Sequence, residues 1–208
     1  MVEIEPFRGL LYNQPIIKDC SKVVAPPYDV ISSDMQEAFY NLHAYNIIRL
    51  ILGKEQPGDN IQNNKYTRAK DTFNKWLRQR ILVKDKKPAI YIYLQEYLYK
   101  GKKRRRLGFI ALMRIEDPKT SDVLLHEYTF AKPREDRFRL LKEVRANLCP
   151  IFSLFSDQDD LITNLLKKYI DKRKPIMDIE LEGVIHRLWR LIDTVSYTHL
   201  TLPTKRIV

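Results

Sequence analysis

The sequence is poor in the residues and patterns that mark several protein classes. Its 208 residues include 6 glycines and 2 cysteines, and no apolar run approaches the roughly 20 residues of a membrane-spanning helix. The first residues lack the basic and then apolar pattern of a signal peptide. Cys20 and Cys149 have no metal-ligand spacing, which favours two buried, reduced thiols. We therefore expect a cytoplasmic protein with no membrane association and no metal site.

Several common catalytic motifs are also missing. The sequence contains no Walker-type loop, no Gly-x-Gly-x-x-Gly pattern and no Gly-x-Ser-x-Gly elbow. These absences exclude the familiar P-loop, Rossmann and α/β-hydrolase classes. What is present is a folding composition, with 44% hydrophobic and 30% charged residues, of about the size of one domain.

Positive charge dominates and is concentrated in one place. Lys and Arg number 37 against 26 Asp and Glu, a net charge of +11. Six of the seven residues from Lys100 to Arg106 are basic, and they separate two strand-like runs, 89–94 and 107–112. This pattern predicts a β-hairpin with a basic, solvated tip that turns at Gly101. Such a tip could also grip the phosphates of a nucleic acid.

Apolar periodicity and capping residues predict the remaining elements. A capping box formed by Ser33 and Gln36 starts the first helix. Together the elements predict an α+β fold with a mixed or mostly antiparallel sheet, β-hairpins and packed helices. Further helices are expected over 61–77, 133–146 and 159–169, strands over 46–52 and 151–155, and a second hairpin over 176–181 and 184–191.

The last residues read differently from the rest of the chain. Residues 195–204 are similar to one translated frame of a transposon-type sequencing adapter. We therefore expect residues 195–208 to be an artefact with no domain, and residues 1–194 to be the natural part. His199, Lys205 and Arg206 are accordingly not expected to belong to a functional site.

Four segments, in this order and spacing, carry a resemblance to a known family. They are Pro6–Leu10, Val24–Ile31, the run from His126–Glu127 to Lys132–Arg137, and Ala146–Phe152. The chain resembles the bacterial family catalogued as domain of unknown function 1015. The resemblance implies an N-terminal half, because family members are about twice as long. Their second half carries a block that resembles the nucleotide-binding loop of ParB and sulfiredoxin proteins and of a related free-serine kinase. The resemblance therefore implies ATP or ADP with Mg, bound mainly outside this chain.

The densest polar constellation surrounds one helix start. His126 and Glu127 are the candidate catalytic residues, available for proton transfer, and Lys132, Asp136 and Arg137 are candidate substrate-binding residues. Cations near a helix N-terminus favour a phosphorylated or carboxylate ligand. The alternative is a salt-bridged helix start, in which Glu127 pairs with Arg137 and His126 is structural. Both interpretations remain open.

Other polar residues are weaker candidates. Asp29 follows the rigid Pro26–Pro27–Tyr28. It is either a substrate-binding carboxylate or part of a rigid segment that supports the start of the following helix. For Arg8 we favour a strand-end cap over anion binding, and for His186 packing over catalysis.

Two functions of different classes remain in view. The first is part of a nucleotide-using, kinase-like enzyme that acts on a small anionic or serine-related substrate. The full-length protein would then be a phosphotransferase. This chain alone is then expected to be inactive. The second is a ParB-like nucleic-acid-associated or regulatory binding module, suggested by the basic run.

Overall fold

The computed structural model describes residues 2–117, 121, 123–124, 131–157 and 159–192. Its helices are α1 Ser33–Leu42, α2 Ile48–Ile51, α3 Lys65–Arg78, α4 Ala131–Val144 and α5 Leu161–Ile170. Its strands are β1 Ile4–Glu5, β2 Leu10–Tyr12, β3 Leu82–Lys84, β4 Ile90–Tyr99, β5 Lys102–Ile110, β6 Leu112–Met113, β7 Met177–Leu181 and β8 Val184–Leu191. The pairings β1–β6, β4–β5, β4–β8 and β7–β8 are antiparallel, which agrees with the predicted α+β class.

Two compact units make up the described residues. The sheet unit takes its residues from Met1–Gly9, Lys84–Glu127 and Phe152–Val208. The helical unit takes its residues from Leu10–Val83 and Tyr128–Ile151.

A four-stranded sheet in the order β5-β4-β8-β7 forms the centre of the sheet unit. Lys100 and Gly101 connect β4 to β5 with φ of 50° and 71°, and Glu182 and Gly183 connect β7 to β8 with φ of 51° and 77°. Two consecutive left-handed residues are typical of the tight turns that match strand twist. Both predicted hairpins are confirmed.

One face of this sheet, the inner face, carries the core of the unit. Side chains alternate between faces along a strand, so Ile90, Ile92 and Leu94 of β4 share the inner face with Trp189 and Leu191 of β8. This cluster packs against Ile162 and Leu166 of α5. Burial of each large aliphatic side chain contributes about 1.5–3 kcal/mol. The opposite side of the four strands is called the outer face below.

The helical unit is built on the packing of α3 against α4 and α2. Phe73 and Trp76 of α3 and Leu140 of α4 belong to its main buried cluster. Helix α3 begins at Lys65, later than predicted, because the Asn64 side chain accepts the backbone N–H of Tyr66 and Thr67 in a capping box.

The strand predicted over 46–52 is wrong. The structure has the short helix α2 there, and its start is organised by Asn46, which is 0% exposed. The Asn46 amide donates to the carbonyls of Lys22 and Val24 at 2.9 and 3.0 Å and accepts the Ile48 N–H at 3.0 Å. A buried side chain that bonds the backbone in this way competes with strand pairing.

The strand predicted over 151–155 is also wrong. These residues form no regular element, and Phe152 is 66% exposed. Two smaller corrections concern single residues. The N-cap of α1 is Ser32 rather than Ser33, and Cys149 is exposed rather than buried.

The basic run lies along a strand rather than at a turn alone. Lys102 to Arg106 belong to β5 and pair with Gln95 to Tyr99 of β4. The hairpin strands are therefore longer than the sequence predicted, and the charges of β5 alternate between the two faces of the sheet.

Candidate functional site

Three of the four segments that carry the family resemblance contribute to one polar cluster in the helical unit. Tyr28 lies in a short 3₁₀ turn, Tyr28–Val30, and Arg137 lies in the second turn of α4. The Arg137 guanidinium carbon is 3.9 Å from the centre of the Tyr28 ring, a cation–π contact. Cys149, beyond the end of α4, interacts electrostatically with both Arg137 and Asp29.

Asp136 is the centre of this cluster. Its Oδ1 accepts hydrogen bonds from the Tyr66 hydroxyl at 2.7 Å and from Lys65 at 2.9 Å. Its Oδ2 accepts from Arg137, whose Nε is 2.9 Å away. Burial by itself would raise the pKa of Asp136, but the bonds from Arg137, Lys65 and Tyr66 outweigh it and lower the pKa to about 2. Asp136 is therefore an anion at neutral pH.

Arg137 fastens α4 to α2. Its Nε and one terminal nitrogen donate to Asp136, and its Nη1 donates to the Ile51 carbonyl at 2.7 Å. That carbonyl lies at the C-terminal end of α2, where the backbone needs a donor from outside the helix. Arg137 consequently has a structural role, since all three guanidinium nitrogens are engaged within the protein.

Lys65 completes a charge-balanced network. It bridges Asp136 and Glu55, with Nζ–O distances of 2.9 and 3.2 Å. Burial by itself would lower the pKa of Lys65, but the two carboxylates outweigh it and the net shift is upward. Two cations and two carboxylates thus meet at the start of α3 and α4.

The cleft beside this network is too small for a substrate. It is lined by Leu52, Gly53, Lys65, Tyr66 and Arg137, among others, and encloses about 10 Å³, room for about one water molecule. A ligand would therefore lie on the exposed rim. Lys132 and Arg134 in the first turn of α4 are exposed, and so is Asp29.

The structure describes four of the six predicted site residues. Asp136 and Arg137 contact each other, Lys132 lies in the first turn of the same helix, and Asp29 is next to the tyrosine that Arg137 covers. His126 and Glu127 lie outside the described residues, so their catalytic role stays a prediction.

Lys65 and Tyr66 are the site residues that sequence reasoning missed. They lie 71 and 70 positions before Asp136 along the chain. In the sequence Lys65 looks like an ordinary surface cation and Tyr66 like part of an apolar stripe. Only the packing of α3 against α4 brings them to Asp136.

Cys149 is a poor candidate for a nucleophile. The residue as a whole is exposed, but partial burial of the thiol raises the pKa of Cys149; Asp29 adds to that effect, and Arg137 offsets part of it. A thiol with a raised pKa has little thiolate at neutral pH, and the thiolate is the reactive form.

The sheet unit contains a second polar cluster, which organises the first resemblance segment. Asp85 accepts from the Tyr91 hydroxyl at 2.5 Å and lies 2.7 Å from Arg190 Nε. The Tyr91 hydroxyl accepts the Gly9 N–H at 2.8 Å, and Arg8 donates to the Asp85 carbonyl at 2.6 Å. Burial first, and then Asp85, raises the pKa of Tyr91 to about 12. Arg8 thus holds backbone at a strand end, as favoured above.

His186 lies on the outer face of the sheet. Its ring stacks on Tyr93 with centroids 5.9 Å apart, and its Nδ1 is 2.5 Å from the Tyr93 hydroxyl. Burial lowers the pKa of His186, so the ring is neutral at pH 7. This placement favours packing over catalysis.

The described residues show neither a metal-binding cluster nor a membrane-spanning helix. Within the described ranges, no three His, Cys, Asp or Glu side chains group in a way that could bind a metal ion. In the same part of the chain, no helix combines the length and apolar character needed to cross a bilayer.

The fold and the polar cluster together define an α+β protein of two compact units, with an ion-paired site at a helix start. Comparison with known families gives the particular family. The model of the family described as "Protein of unknown function (DUF1015)" matches residues 4–202, so the chain belongs to this family, as its sequence resemblance predicted. No curated protein and no solved structure gives a significant match.

Proposed function

We propose that the chain is the N-terminal part of a kinase-like phosphotransferase that acts on a small anionic or serine-related substrate. The start of α4 is the proposed substrate-binding surface. The observation that carries the proposal is the convergence of three resemblance segments, containing Tyr28–Asp29, Lys132–Arg137 and Cys149, at one polar cluster of the helical unit.

The exposed first turn of α4 has the chemistry that an anion requires. Lys132 and Arg134 are exposed and make no ion pair with any other described residue. The first backbone N–H groups of a helix have no intrahelical partner, and the macrodipole favours negative charge there. A phosphate or carboxylate group would be held by these two cations and by the helix start.

Asp136 and Arg137 have a positioning role in this proposal. Their mutual contact, together with the Ile51 carbonyl and Tyr28, fixes the start of α4 next to the turn that carries Asp29. Asp29 would then meet the amino group of a serine-like ligand. Little ordering would remain for the substrate to induce, which favours binding.

His126 and Glu127 are the proposed groups for proton transfer. They precede Ala131, the first residue of α4, by five and four positions in the sequence. The nucleotide, ATP or ADP with Mg, is proposed to bind mainly to the second half found in longer family members. This chain alone would then bind a substrate without transferring phosphate.

Calorimetric titration of the 208-residue chain with O-phospho-L-serine and L-serine tests substrate binding. We expect Lys132→Gln with Arg134→Gln to weaken phosphoserine binding at least about tenfold, because two charge-assisted contacts are lost. The matched control is Lys142→Gln with Arg145→Gln near the other end of α4, which removes the same charge. Equal affinity of the two double variants, or no binding by the parent chain, would contradict the proposal.

Catalysis is tested in a longer family member that carries both halves. ADP release from ATP in the presence of serine should fall by about 10²–10⁴-fold when the residue aligned with His126 or Glu127 is replaced by Ala, if that residue transfers a proton. An unchanged rate in both variants would remove these residues from the mechanism. A family member that neither binds ATP nor phosphorylates an acceptor would overturn the proposal as a whole.

A further inference from the structure

The outer face of the four-stranded sheet has an unusual composition. The register places Tyr97 of β4 opposite Arg104 of β5, and Tyr99 opposite Lys102. Arg106 lies one step further along the same face, opposite Gln95. Tyr93 of β4 and His186 of β8 continue this face as a stacked pair. Aromatic and basic side chains are thus interleaved on one surface of the sheet unit.

The acidic residues of the four strands lie on the other face, and Asp85, outside these strands, contacts Tyr91 and Arg190 at the end of the outer face away from the Lys100–Gly101 turn. Glu96, Asp178 and Glu180 are the acidic residues of the four strands, and the pairing register places all of them on the inner face. There Glu96 pairs with Arg105 at 2.6 Å and with Arg187 at 2.7 Å, and Asp178 pairs with Arg187 at 2.9 Å. The pleat therefore divides the basic run into inner cations, of which Arg105 is paired with Glu96, and outer cations without acidic strand neighbours.

Two of the aromatic side chains at this face are exposed. Tyr99 is 55% exposed, and Phe152, whose ring lies 5.4 Å from the Arg106 guanidinium carbon, is 66% exposed. Arg106 is also 5.7 Å from the Tyr97 ring. Gly108, opposite Tyr93, adds no side chain that would cover the surface, and a Cβ built there meets nothing within 4 Å.

We propose that this outer face binds single-stranded nucleic acid. Phosphates would contact Lys102, Arg104 and Arg106, which follow one another along β5 in steps of about 6.8 Å. Bases would stack on Tyr97, Tyr99 and Phe152, as successive bases stack on aromatic side chains in general single-strand binders. A duplex is disfavoured as the ligand because its bases are already stacked on one another. The proposal concerns the sheet unit and does not depend on the phosphotransferase proposed above.

Charge complementarity selects this partner over a protein surface of mixed charge. A polyanion gains from each cation it meets and would be repelled by acidic neighbours, which this face lacks among its strands. Flat aromatic rings between the cations add contacts that only a ligand with planar groups can use. A nucleic-acid single strand offers both features at regular intervals.

The test measures fluorescence anisotropy of labelled oligo(dT) and oligo(U), each of about 12 nucleotides, the range that one binding platform covers. The 208-residue chain is compared with two double variants of β5. Arg104→Gln with Arg106→Gln removes two outer cations, whereas Lys103→Gln with Arg105→Gln removes two inner cations from the same strand. Circular dichroism of each variant verifies that the sheet is formed.

The proposal predicts a difference between these two variants. The outer double variant should bind at least about tenfold more weakly, and its log–log salt slope should fall by about 1.4, since each lost phosphate contact contributes about 0.7 for single strands. The inner double variant should change affinity less than about twofold, because Arg105 is already paired with Glu96. The DNA and RNA arms distinguish the two sources of the single strand, and binding of either supports the proposal.

A second pair of variants tests base stacking. Tyr99→Leu should weaken binding between about 5- and 150-fold, whereas the control Leu98→Ala, an exposed neighbour on the inner face, should not. The proposal is overturned by equal binding of both β5 variants, by equal affinity for polyphosphate, which has no bases, or by an absence of binding at low salt. Tighter binding to phosphatidylserine vesicles than to either oligonucleotide would assign the face to a membrane surface instead.

Discussion

The two units of this protein use polar side chains in different ways. The helical unit depends on a few sheltered groups that join distant segments, such as Asn46 to the backbone of Lys22 and Val24 and Asp136 to Lys65. The sheet unit is held by continuous backbone pairing of four strands, and its ion pairs, including the sheltered pair of Asp85 with Arg190, add to this pairing. Loss of one polar group should therefore harm the helical unit more than the sheet unit.

Each unit contains one tryptophan, which makes the comparison measurable. Trp76 is buried in the helical unit and Trp189 in the sheet unit, and the chain has 2 tryptophans. In a Trp189→Phe background, urea unfolding followed by fluorescence reports the helical unit, and in a Trp76→Phe background it reports the sheet unit. The free energy of unfolding can thus be measured for each unit separately.

The largest effect is expected for Asp136→Asn. Removal of this charge leaves Lys65 and Arg137 without their shared counter-ion in a sheltered site, which should destabilise the helical unit by about 3 kcal/mol. Trp76 fluorescence in urea measures the change. The adjacent control is Glu135→Gln, which breaks only the exposed pair with Arg139 and should lower stability by at most about 0.5 kcal/mol. A loss below about 1 kcal/mol for Asp136→Asn would be inconsistent with this network.

Asn46→Ala should have the next largest effect on stability. It leaves the carbonyls of Lys22 and Val24 and the N–H of Ile48 without their partner in a fully buried position. We expect a loss of about 2–3 kcal/mol, again followed with Trp76. Asn41→Ala on exposed α1 is the control. Similar losses for the two variants would mean that the buried amide does not organise this region.

The stability of the helical unit should also depend on pH in the acidic range. The pKa of Asp136 is about 2 in the folded state, below its usual value of 3.8. A depressed carboxyl pKa stabilises the fold at higher pH, and this contribution of about 2 kcal/mol is lost as pH falls from about 5 to 2. Urea midpoints across this range should fall less steeply for Asp136→Asn. Identical pH slopes in both proteins would contradict the assignment.

Glu96→Gln should have a smaller effect in the sheet unit. Burial by itself would raise the pKa of Glu96, but the ion pairs with Arg105 and Arg187 outweigh it and lower this pKa. Both pairs are partly exposed, so we expect a loss of about 1 kcal/mol, measured with Trp189. Glu180→Gln, on the same inner face, is the control with an expected change near zero. A loss as large as that of Asp136→Asn would abolish the contrast between the units.

The smallest effect is expected for Arg104→Gln with Arg106→Gln. No acidic residue of the four strands lies on the face of these outer cations, so their removal should change the stability of the sheet unit by less than about 0.5 kcal/mol. Urea unfolding followed by Trp189 fluorescence measures this change in stability. A larger loss would show that the outer cations stabilise the fold, and would require their effect on oligonucleotide binding to be corrected for unfolding.

Local signals explain which elements were predictable. Gly101 and Gly183 mark both hairpin turns, and apolar periodicity located α3, α4 and α5 to within a few residues. These signals act between residues close in the chain, so a single sequence contains them. The helix at α2 was missed because the buried bonds of Asn46 reach back more than twenty residues to Lys22 and Val24.

The candidate site was half predictable. Asp136 and Arg137 stood out because they cluster with other charges at a helix start, whereas Lys65 and Tyr66 carried no distinguishing signal. The basic run was visible, but its division between the faces depends on how far β4 and β5 extend. If a strand boundary moves by a few residues, different cations lie in the turn and different cations lie on a face of the sheet.

The amino-acid order alone determined the family, the α+β class, the two hairpins and the concentration of positive charge on β5. These features depend on composition, turn residues and periodicity, which act over short distances in the chain. Tertiary structure alone decided that Asp136 meets Lys65 and Tyr66, that Asn46 is buried, and that the cations of β5 divide between the two faces of the sheet. Each of these depends on packing or register between segments far apart in sequence, where the free energy of a contact exists only after the chain has folded.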